Sequence, residues 1–536
     1  MRLRRLDILP LRRIAEVGIL FANLVLAACA SLPADIPREE SHTLKETADT
    51  RLGRAVGPLA GLHPELSGAY PLSRGQDAFL ARLALAETAE RSLDVQYYIW
   101  RADSTGRVLL DYLVRAAERG VRVRLLIDDL GTAPNDAHLL LIDGSPNIEV
   151  RLFNPIASRS ARMLGALIDF GRVNRRMHNK SFTADGQVTI VGGRNIGDEY
   201  FEAASDLDFA DMDVLAIGPV VKQVSNSFDL YWNNPAAIPI AALASKRVSE
   251  KDVNRARAAL ADYEESQRAG AYAEALRNSD LAQQLRTGAL VFFWGKAEAL
   301  YDDPAKITQS PKDQSTHLLP QLAKITDMTQ KELLIISPYF VPGDAGVAYF
   351  KRMRERGVRV LVLTNSLAAT DVSAVHAGYS RYRRALLESG VELYEVKATA
   401  RRPGEQKTRS GSGPGLGGSS RASLHAKVFI FDREVLFVGS LNLDPRSVSL
   451  NTEIGLVFET PELAAQGAAD LMAAISGATY RLAFVPPEGA GKSTRKIEWI
   501  EQENGQEVHY DTEPQAGVWR RLGVWFMSWL PIESQL

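Results

Sequence analysis

His178-Asn179-Lys180-Ser181-Phe182-Thr183-Ala184-Asp185-Gly186-Gln187-Val188-Thr189-Ile190-Val191-Gly192-Gly193-Arg194-Asn195 is the stretch on which the reading of this chain turns. Lys180, Asp185, Gly192 and Asn195 follow His178 at the offsets at which Lys427, Asp432, Gly439 and Asn442 follow His425. The two histidines are displaced by 425 − 178 = 247 positions. A single short motif matches by accident; two copies with one spacing make a duplicated site.

Each copy predicts a β-hairpin. Lys180 to Ala184 and Val188 to Val191 are alternating or apolar runs about Asp185-Gly186, and Val428 to Phe431 and Val435 to Val438 flank Asp432-Arg433 in the same way. Residues two apart on a strand share a face, so His178 points with Lys180 and His425 with Lys427. Each second strand runs into a glycine-bearing loop, Gly192-Gly193 or Gly439-Ser440, which lets backbone approach an anion and sets Asn195 or Asn442 beside the His and Lys.

Imidazole, ammonium, carboxamide and a glycine turn together suit a phosphate group. Lys and Asn can hold its non-bridging oxygens, while His serves as nucleophile or general acid. The candidate catalytic set is therefore His178, Lys180, Asp185, His425, Lys427 and Asp432, with Asn195, Asn442, Ser440 and Gly193 as the phosphate-binding set. Asp185 and Asp432 lie in the turns, where they are expected to hold the motif together. Gly193 stands where the second copy has Ser440, so a hydroxyl is available on one side only.

The elements around the motifs are duplicated too. Asp77 to Arg91 has helical spacing, Leu93 to Ile99 reads as a buried strand, Val108 to Arg119 as helix and Val121 to Ile127 as strand. Glu332 to Tyr339, Val347 to Glu355 and Val358 to Leu363 repeat strand, helix and strand, and Gly-Val-Arg-Val recurs at 120–123 and 357–360. Strand-helix-strand implies a parallel crossover, and its recurrence implies a whole-fold duplication. The Gly/Ser-rich stretch from Arg401 to Arg421, read as a disordered loop, accommodates the extra residues of the second copy.

With 46% hydrophobic and 24% charged residues and a net charge of −2, the 536-residue chain is long enough for two core-bearing units and has no overall field to attract a polyanion. That disfavours a nucleic-acid partner. Arginines 2, 4, 5, 12 and 13 precede an apolar run from Val17 to Ala28, the order of a signal segment, and Cys29 is the only cysteine, which rules out a disulfide within one chain. The expected organisation is a signal segment over 1–28, a flexible tether over 29–75, first half 76–233, a mostly helical connector 234–328, second half 329–475, and an extension 476–536 with an amphipathic helix.

The paired His-x-Lys-x4-Asp segments resemble those of the phospholipase D superfamily. Leu93 to Trp100, Arg119 to Val123 and Arg172 to Lys180 are similar to bacterial cardiolipin synthases, most of all those of the C type. The resemblance implies an α/β fold of two similar halves, mixed sheets flanked by helices, forming one shared active site. It implies a phosphatidyltransferase that works through a phosphohistidine on His178, with His425 as acid and base, and needs no metal or cofactor. It also implies that a carboxylate from the opposite half orients each histidine, Glu453 for His178 and Asp213 for His425, with Asp211 as rival to Asp213.

The substrates so implied are phospholipids, with phosphatidylglycerol as acceptor and phosphatidylglycerol or phosphatidylethanolamine as donor. Leu26-Ala27-Ala28-Cys29 resembles a bacterial lipobox, which implies lipidation at Cys29 and a place on a cell-envelope membrane. The sequence names no accessory protein. A hydrolytic phospholipase D, a superfamily phosphodiesterase or nuclease, and an inactive envelope scaffold are the competing readings.

Three further features bear on function. Gly489 to Thr494 looks like the end of a phosphate-binding loop, but Pro486 stands where its first glycine is required. His376 fits either a lipid cleft shared with Tyr382 or the surface. Val518, Leu522, Trp525 and Trp529 fall on one side of a helix beside Trp519 and Phe526, which suits either a bilayer interface or docking on the core; with three of the seven tryptophans here, the bilayer is the preferred expectation.

Overall fold

Short apolar runs separated by Gly, Asp and Asn turns condense into one long sheet. The first half of the chain contains β1 (Ser67–Leu72), β2 (Ser92–Tyr97), β3 (Arg122–Asp128), β4 (Ile148–Phe153), β5 (Ser181–Ala184), β6 (Val188–Gly192), β7 (Leu207–Ala210), β8 (Asp213–Ile217) and β9 (Ala237–Pro239), all of them in that sheet except β7. After β10 (Phe293–Tyr301) come β11 (Glu332–Ile336), β12 (Arg359–Asn365), β13 (Glu392–Val396), β14 (Arg421–Leu424), β15 (Val428–Phe431), β16 (Val435–Gly439), β17 (Ile454–Glu459), β18 (Thr479–Val485), β19 (Lys496–Glu503) and β20 (Gln506–Tyr510). The computed structural model describes residue 32 and residues 36–536 apart from 132–135, 160, 204–206, 245–248, 269, 399–420, 486–494 and 504. The signal segment, Cys29, Gly489 to Thr494 and the loop expected after Arg401, up to Ser420, lie outside the described residues.

The halves repeat one topology. β4-β3-β2 are parallel and β2 passes antiparallel through β5 and β6 to β8; β13-β12-β11 are parallel and β11 passes antiparallel through β15 and β16 to β17. Both hairpins turn where the spacing places them, with Asp185 and Gly186 at φ 51° and 61° and Asp432 and Arg433 at 54° and 57°. Three of these four left-handed positions hold the Asp or Gly that suits them, and Arg433 is the exception. Asp185 accepts from the backbone N–H of Glu90, Arg91 and Ser92 at 3.0, 2.7 and 2.9 Å. Asp432 accepts from Gln330, Lys331 and Glu332 at 2.8, 2.7 and 2.9 Å. Each turn aspartate thus pins its hairpin to the start of the parallel strand it pairs with.

Alternation puts one face of each sheet under its own helices, in a core around Leu93, Val123 and Phe182 in the first half and around Leu333, Val360 and Phe429 in the second. The other faces meet. Val191, Val214 and Ala216 pack with Val428, Ile430 and Leu456 in a core shared by the halves. Dry apolar contact of this kind fixes the halves against each other and hence the residues at their common edge.

Three expectations about organisation are corrected. The tether expected over 29–75 contains the helix Arg51–Leu62 and β1, which pairs with β8 and β10. Its polar stretch is not a solvated linker because it satisfies buried cations: Arg124 donates to Ser41 O at 2.8 Å and Arg151 to Glu39 O at 2.7 Å. The connector is helical over Glu250–Gln267, Ala271–Arg277, Asp280–Thr287 and Leu318–Met328, but β10 runs through it as a strand. Phe293 to Gly295 pair with β1 and Lys296 to Tyr301 with β17, so β10 stitches the half-sheets together. The boundary set at 475/476 falls inside the helix Pro461–Ala478, and β18 to β20 extend the second half-sheet.

The C-terminal helix Val518–Met527 rests on Leu367 and Ala377 through Val524, while its tryptophans are exposed. Among the described residues no helix is long and apolar enough to cross a membrane. His376 lines neither cleft nor surface: it is buried, with Nε2 at 2.8 Å from both Glu513 Oε1 and Arg383 Nη2.

Candidate active site

Both motif histidines sit on segments stitched to the opposite half. Met177 forms a parallel bridge with Thr452, and His178 N–H donates to Thr452 O at 2.9 Å. β14 pairs in parallel with β7, and His425 N–H donates to Ala210 O at 2.8 Å. The residue after each of these acceptors is an acid. Glu453 Oε2 lies 2.8 Å from His178 Nδ1, and Asp211 Oδ2 lies 2.6 Å from His425 Nδ1. All four side chains are buried. With Nδ1 of each ring turned to a carboxylate, Nε2 is left for the reaction.

Asp211, not Asp213, therefore faces His425, which corrects the orienting acid expected for the second histidine. Asp213 is the buried counter-ion of Arg82, at 2.8 Å, and of Arg194, at 3.5 Å. Strand register gives the reason. Gly192 pairs with Asp213 in the first half as Gly439 pairs with Gly455 in the second, so Asp213 is the counterpart of Gly455 and Asp211 that of Glu453. The loops before the two acids differ in length, which conceals the match from residue counting.

The Gly193–Ser440 asymmetry belongs to the acids. A Cβ on Gly193 would fall 2.2 Å from Asp211 Oδ1, so glycine leaves the space that the carboxylate occupies. Ser440, expected on phosphate, directs its hydroxyl to Glu453 Oε2 at 2.5 Å instead. Lys180 Nζ donates to His178 O at 2.5 Å, and Lys427 Nζ donates to His425 O. An ammonium has three N–H donors, so each lysine keeps others for substrate. Asn195 accepts from Ile99 N–H at 3.2 Å and donates to the Tyr200 hydroxyl at 3.0 Å, whereas the buried Oδ1 of Asn442 has no partner among the described residues.

Burial and crowded cations set the charges. Burial, then Lys180, Lys427 and His425, hold the His178 imidazole well below its ordinary range, so it is a neutral base at neutral pH. His425 is lowered by burial and by Lys427, but Asp211 opposes the shift. Burial would raise Asp211; His425, Lys427 and Arg194 more than reverse this and hold it ionised. Burial pushes Glu453 up to about 7 against the pull of Lys180 and Ser440. Burial also lowers Lys180 well below its usual range and Lys427 to about 8. One histidine thus faces a readily protonated acid and the other a fixed anion.

Several residues of this site were not singled out from sequence. Tyr98 stands edge-on to His178 at 5.0 Å, with the Lys180 ammonium 5.4 Å from its ring; Tyr200 and Phe209 enclose His425 at 5.2 and 5.0 Å. Asp302, at the end of β10, accepts from Glu453 N–H at 2.8 Å and pairs with Lys306 at 3.0 Å, which fixes the acid behind His178. Tyr98 follows a strand recognised from its pattern, so its position was available; Asp302 had no signal while β10 was read as part of a helical connector.

A family model described as "Cardiolipin synthase, PLD-like domain" matches residues 83–232 and 322–473. The chain is 44% identical to cardiolipin synthase C of Escherichia coli over 484 residues, 90% of this chain and 99% of that one. It is 30% identical to an uncharacterized protein of Helicobacter pylori over 500 residues, 92% of this chain and 94% of the other. A phosphatidylserine synthase structure from Haemophilus influenzae, 17% identical, superposes with a TM-score of 0.52 over 81% of this chain and 92% of its own. Both matched segments carry a motif histidine.

Proposed function

The chain belongs to the cardiolipin synthase family of phospholipase D-like proteins, and on that premise we propose that it is a phosphatidyltransferase that makes cardiolipin through a phosphohistidine. The supporting observation is a pair of buried histidines, each tied at Nδ1 to an acid of the opposite half and each beside the buried lysine of its own motif.

His178 is the nucleophile and His425 the acid and base. His178, uncharged at neutral pH and oriented by Glu453, attacks phosphorus through Nε2. The bond from phosphorus to the departing alkoxide breaks, and His425 gives that oxygen its proton. The resulting phosphatidyl-His178 is opened by the hydroxyl of phosphatidylglycerol. That hydroxyl loses its proton to His425, forms the new P–O bond and returns the electron pair of the P–N bond to His178. The Asp211 carboxylate stabilises the imidazolium of His425 at each exchange, while Lys180 and Lys427 offset charge on the non-bridging oxygens.

Purified protein given phosphatidylglycerol, with and without phosphatidylethanolamine, should yield cardiolipin by mass spectrometry. Acid-quenched protein should carry a phosphatidyl adduct on His178 and not on His425. Phosphatidic acid as the sole product would replace transfer by hydrolysis, and an adduct on His425 would reverse the two roles. Lipidation at Cys29 belongs to the same reading and predicts palmitate labelling that Cys29→Ala abolishes.

A further inference from the structure

Two apolar clusters that take no part in the chemistry flank the shared site. On the first half, Met163, Leu167, Ile168 and Phe170 are 84, 70, 54 and 51% exposed. On the second, Trp519, Trp525, Phe526 and Trp529 are 84, 57, 62 and 74% exposed. Lone exposed apolar residues are ordinary on a protein surface; clusters of this size are not.

Their roots are equivalent. The first cluster rests on the loop after β3 and the second on the loop after β12, the middle parallel strand of each half. Arg162 fastens the helix Arg162–Ile168 to the first loop by donating to Asp129 O at 2.8 Å. Arg520 fastens the C-terminal helix to the second by donating to Thr370 O at 2.6 Å. The loops themselves add Leu130 and Val372 to the exposed apolar surface.

Each loop also reaches its histidine. Asp128 accepts from the N–H of Met177, next to His178, at 2.9 Å. Asp371 accepts from the Tyr339 hydroxyl at 2.8 Å and acts on His425 and Lys427. The C-terminus ties the two sides: Asn174 donates to Gln535 at 2.5 Å, and Arg446 donates to Asn174 Oδ1 at 2.6 Å and through its backbone to Leu536 O at 2.7 Å.

We propose that the two clusters form one docking rim that seats the mouth of the active site on a lipid bilayer, with the tryptophans at headgroup depth and the Met, Leu and Ile side chains among the acyl chains. Composition selects the bilayer over a protein partner. The helix Val518–Met527 has no Asp or Glu and carries Arg521 beside its exposed tryptophans, the charge that anionic phospholipid attracts. Indole prefers the headgroup boundary. A rim on both sides lets a phospholipid reach the cleft without its acyl chains crossing water. The inference rests on the phospholipid reading of the substrate.

The full-length chain tests it in two variants, Met163→Gln with Leu167→Gln and Phe170→Ser, and Trp519→Ser with Trp525→Ser and Trp529→Ser. Rates are read on phosphatidylglycerol–phosphatidylethanolamine vesicles and on monomeric short-chain phosphatidylglycerol. Each variant should lose at least about tenfold on vesicles and stay within about twofold of the parent on the monomeric lipid. Equal rates on both substrates, or equal losses on both, overturn the rim. A parent dimer that the variants convert to monomer with vesicle rates unchanged assigns the face to a second copy of the chain and also overturns it. Flotation with the same vesicles, in a Cys29→Ser background, gives the rim a readout that survives if the parent transfers no lipid: the variants should float less than the parent, and equal flotation refutes docking.

Discussion

Asp211→Asn should move the pH profile of turnover and Asp213→Asn should not, although the two acids are neighbours. The Asp211 carboxylate lies 2.6 Å from His425 Nδ1 in a buried setting. A hydrogen bond to a charged group in such a place contributes about 1.5–3 kcal/mol to the protonated ring. Losing it lowers the His425 pKa by about one to two units. His425 must hold its proton to release the alcohol, so the alkaline limb of the rate profile shifts toward acid by the same amount. At a fixed pH on that limb the rate falls about 10- to 100-fold. Asp213→Asn instead strands the Arg82 guanidinium, whose partner at 2.8 Å is equally buried, at a cost of about 3–5 kcal/mol in folding stability. Its profile should keep its position while its melting temperature drops. The assay is phosphatidylglycerol consumption in detergent micelles across the pH range, beside thermal melts of the same samples. A limb that moves in Asp213→Asn and stays fixed in Asp211→Asn would refute the register argument.

Gly193→Ala should inactivate at least as strongly as Asp211→Asn, since its Cβ would stand 2.2 Å from Asp211 Oδ1; full kcat would mean the carboxylate has room to spare. Ser440→Ala removes one hydrogen bond from Glu453 at about 1 kcal/mol and should lower kcat by less than about tenfold. Asp185→Ala frees three backbone N–H groups and should cost about 2–4 kcal/mol in urea melts, with a smaller loss for Asp432→Ala because two of its three partners are exposed to water. Burial pushes Asp444 up to about 7, so this group takes up a proton on folding; the stability it contributes is present below its ordinary carboxylate pKa and is lost as pH rises through about 7. Asn at this position can still cap Ser447 N–H, now 2.7 Å from the carboxylate, so Asp444→Asn should raise the melting temperature more at about pH 8 than at about pH 5, and the reverse order would contradict a raised carboxyl.

The hairpins, the two motifs and the duplication were legible because they are local and repeated. The turn aspartates lie one residue after a strand, and the histidines two residues before their lysines, whatever the rest of the chain does. Asp211 was harder, since an acid placed by strand register cannot be found by counting across loops of unequal length. β1 carries Gly68 and Pro71 in six residues and follows a polar segment, so neither period nor composition marked it as sheet. β10 gains its strand character from partners on both sides, β1 and β17, that are far off in sequence. The C-terminal helix had the right amphipathic pattern, yet which side it buries depends on one small contact, Val524 against Leu367 and Ala377, that no pattern within the helix could reveal.

The pairings Asp211 with Gly193 and Glu453 with Ser440 carry a lesson about symmetry. Two identical chains arranged about a two-fold axis would have to equip both histidines alike. A permanent nucleophile and a permanent acid and base, the roles proposed for the two rings, could then arise only by chance at each turnover. Joining the copies in one chain lifts that constraint, and here it lets one imidazole face a fixed anion while the other faces an acid that titrates near neutrality. The division of labour proposed for the histidines is thus a property of fusion, recorded at four positions outside the His and Lys of the motifs.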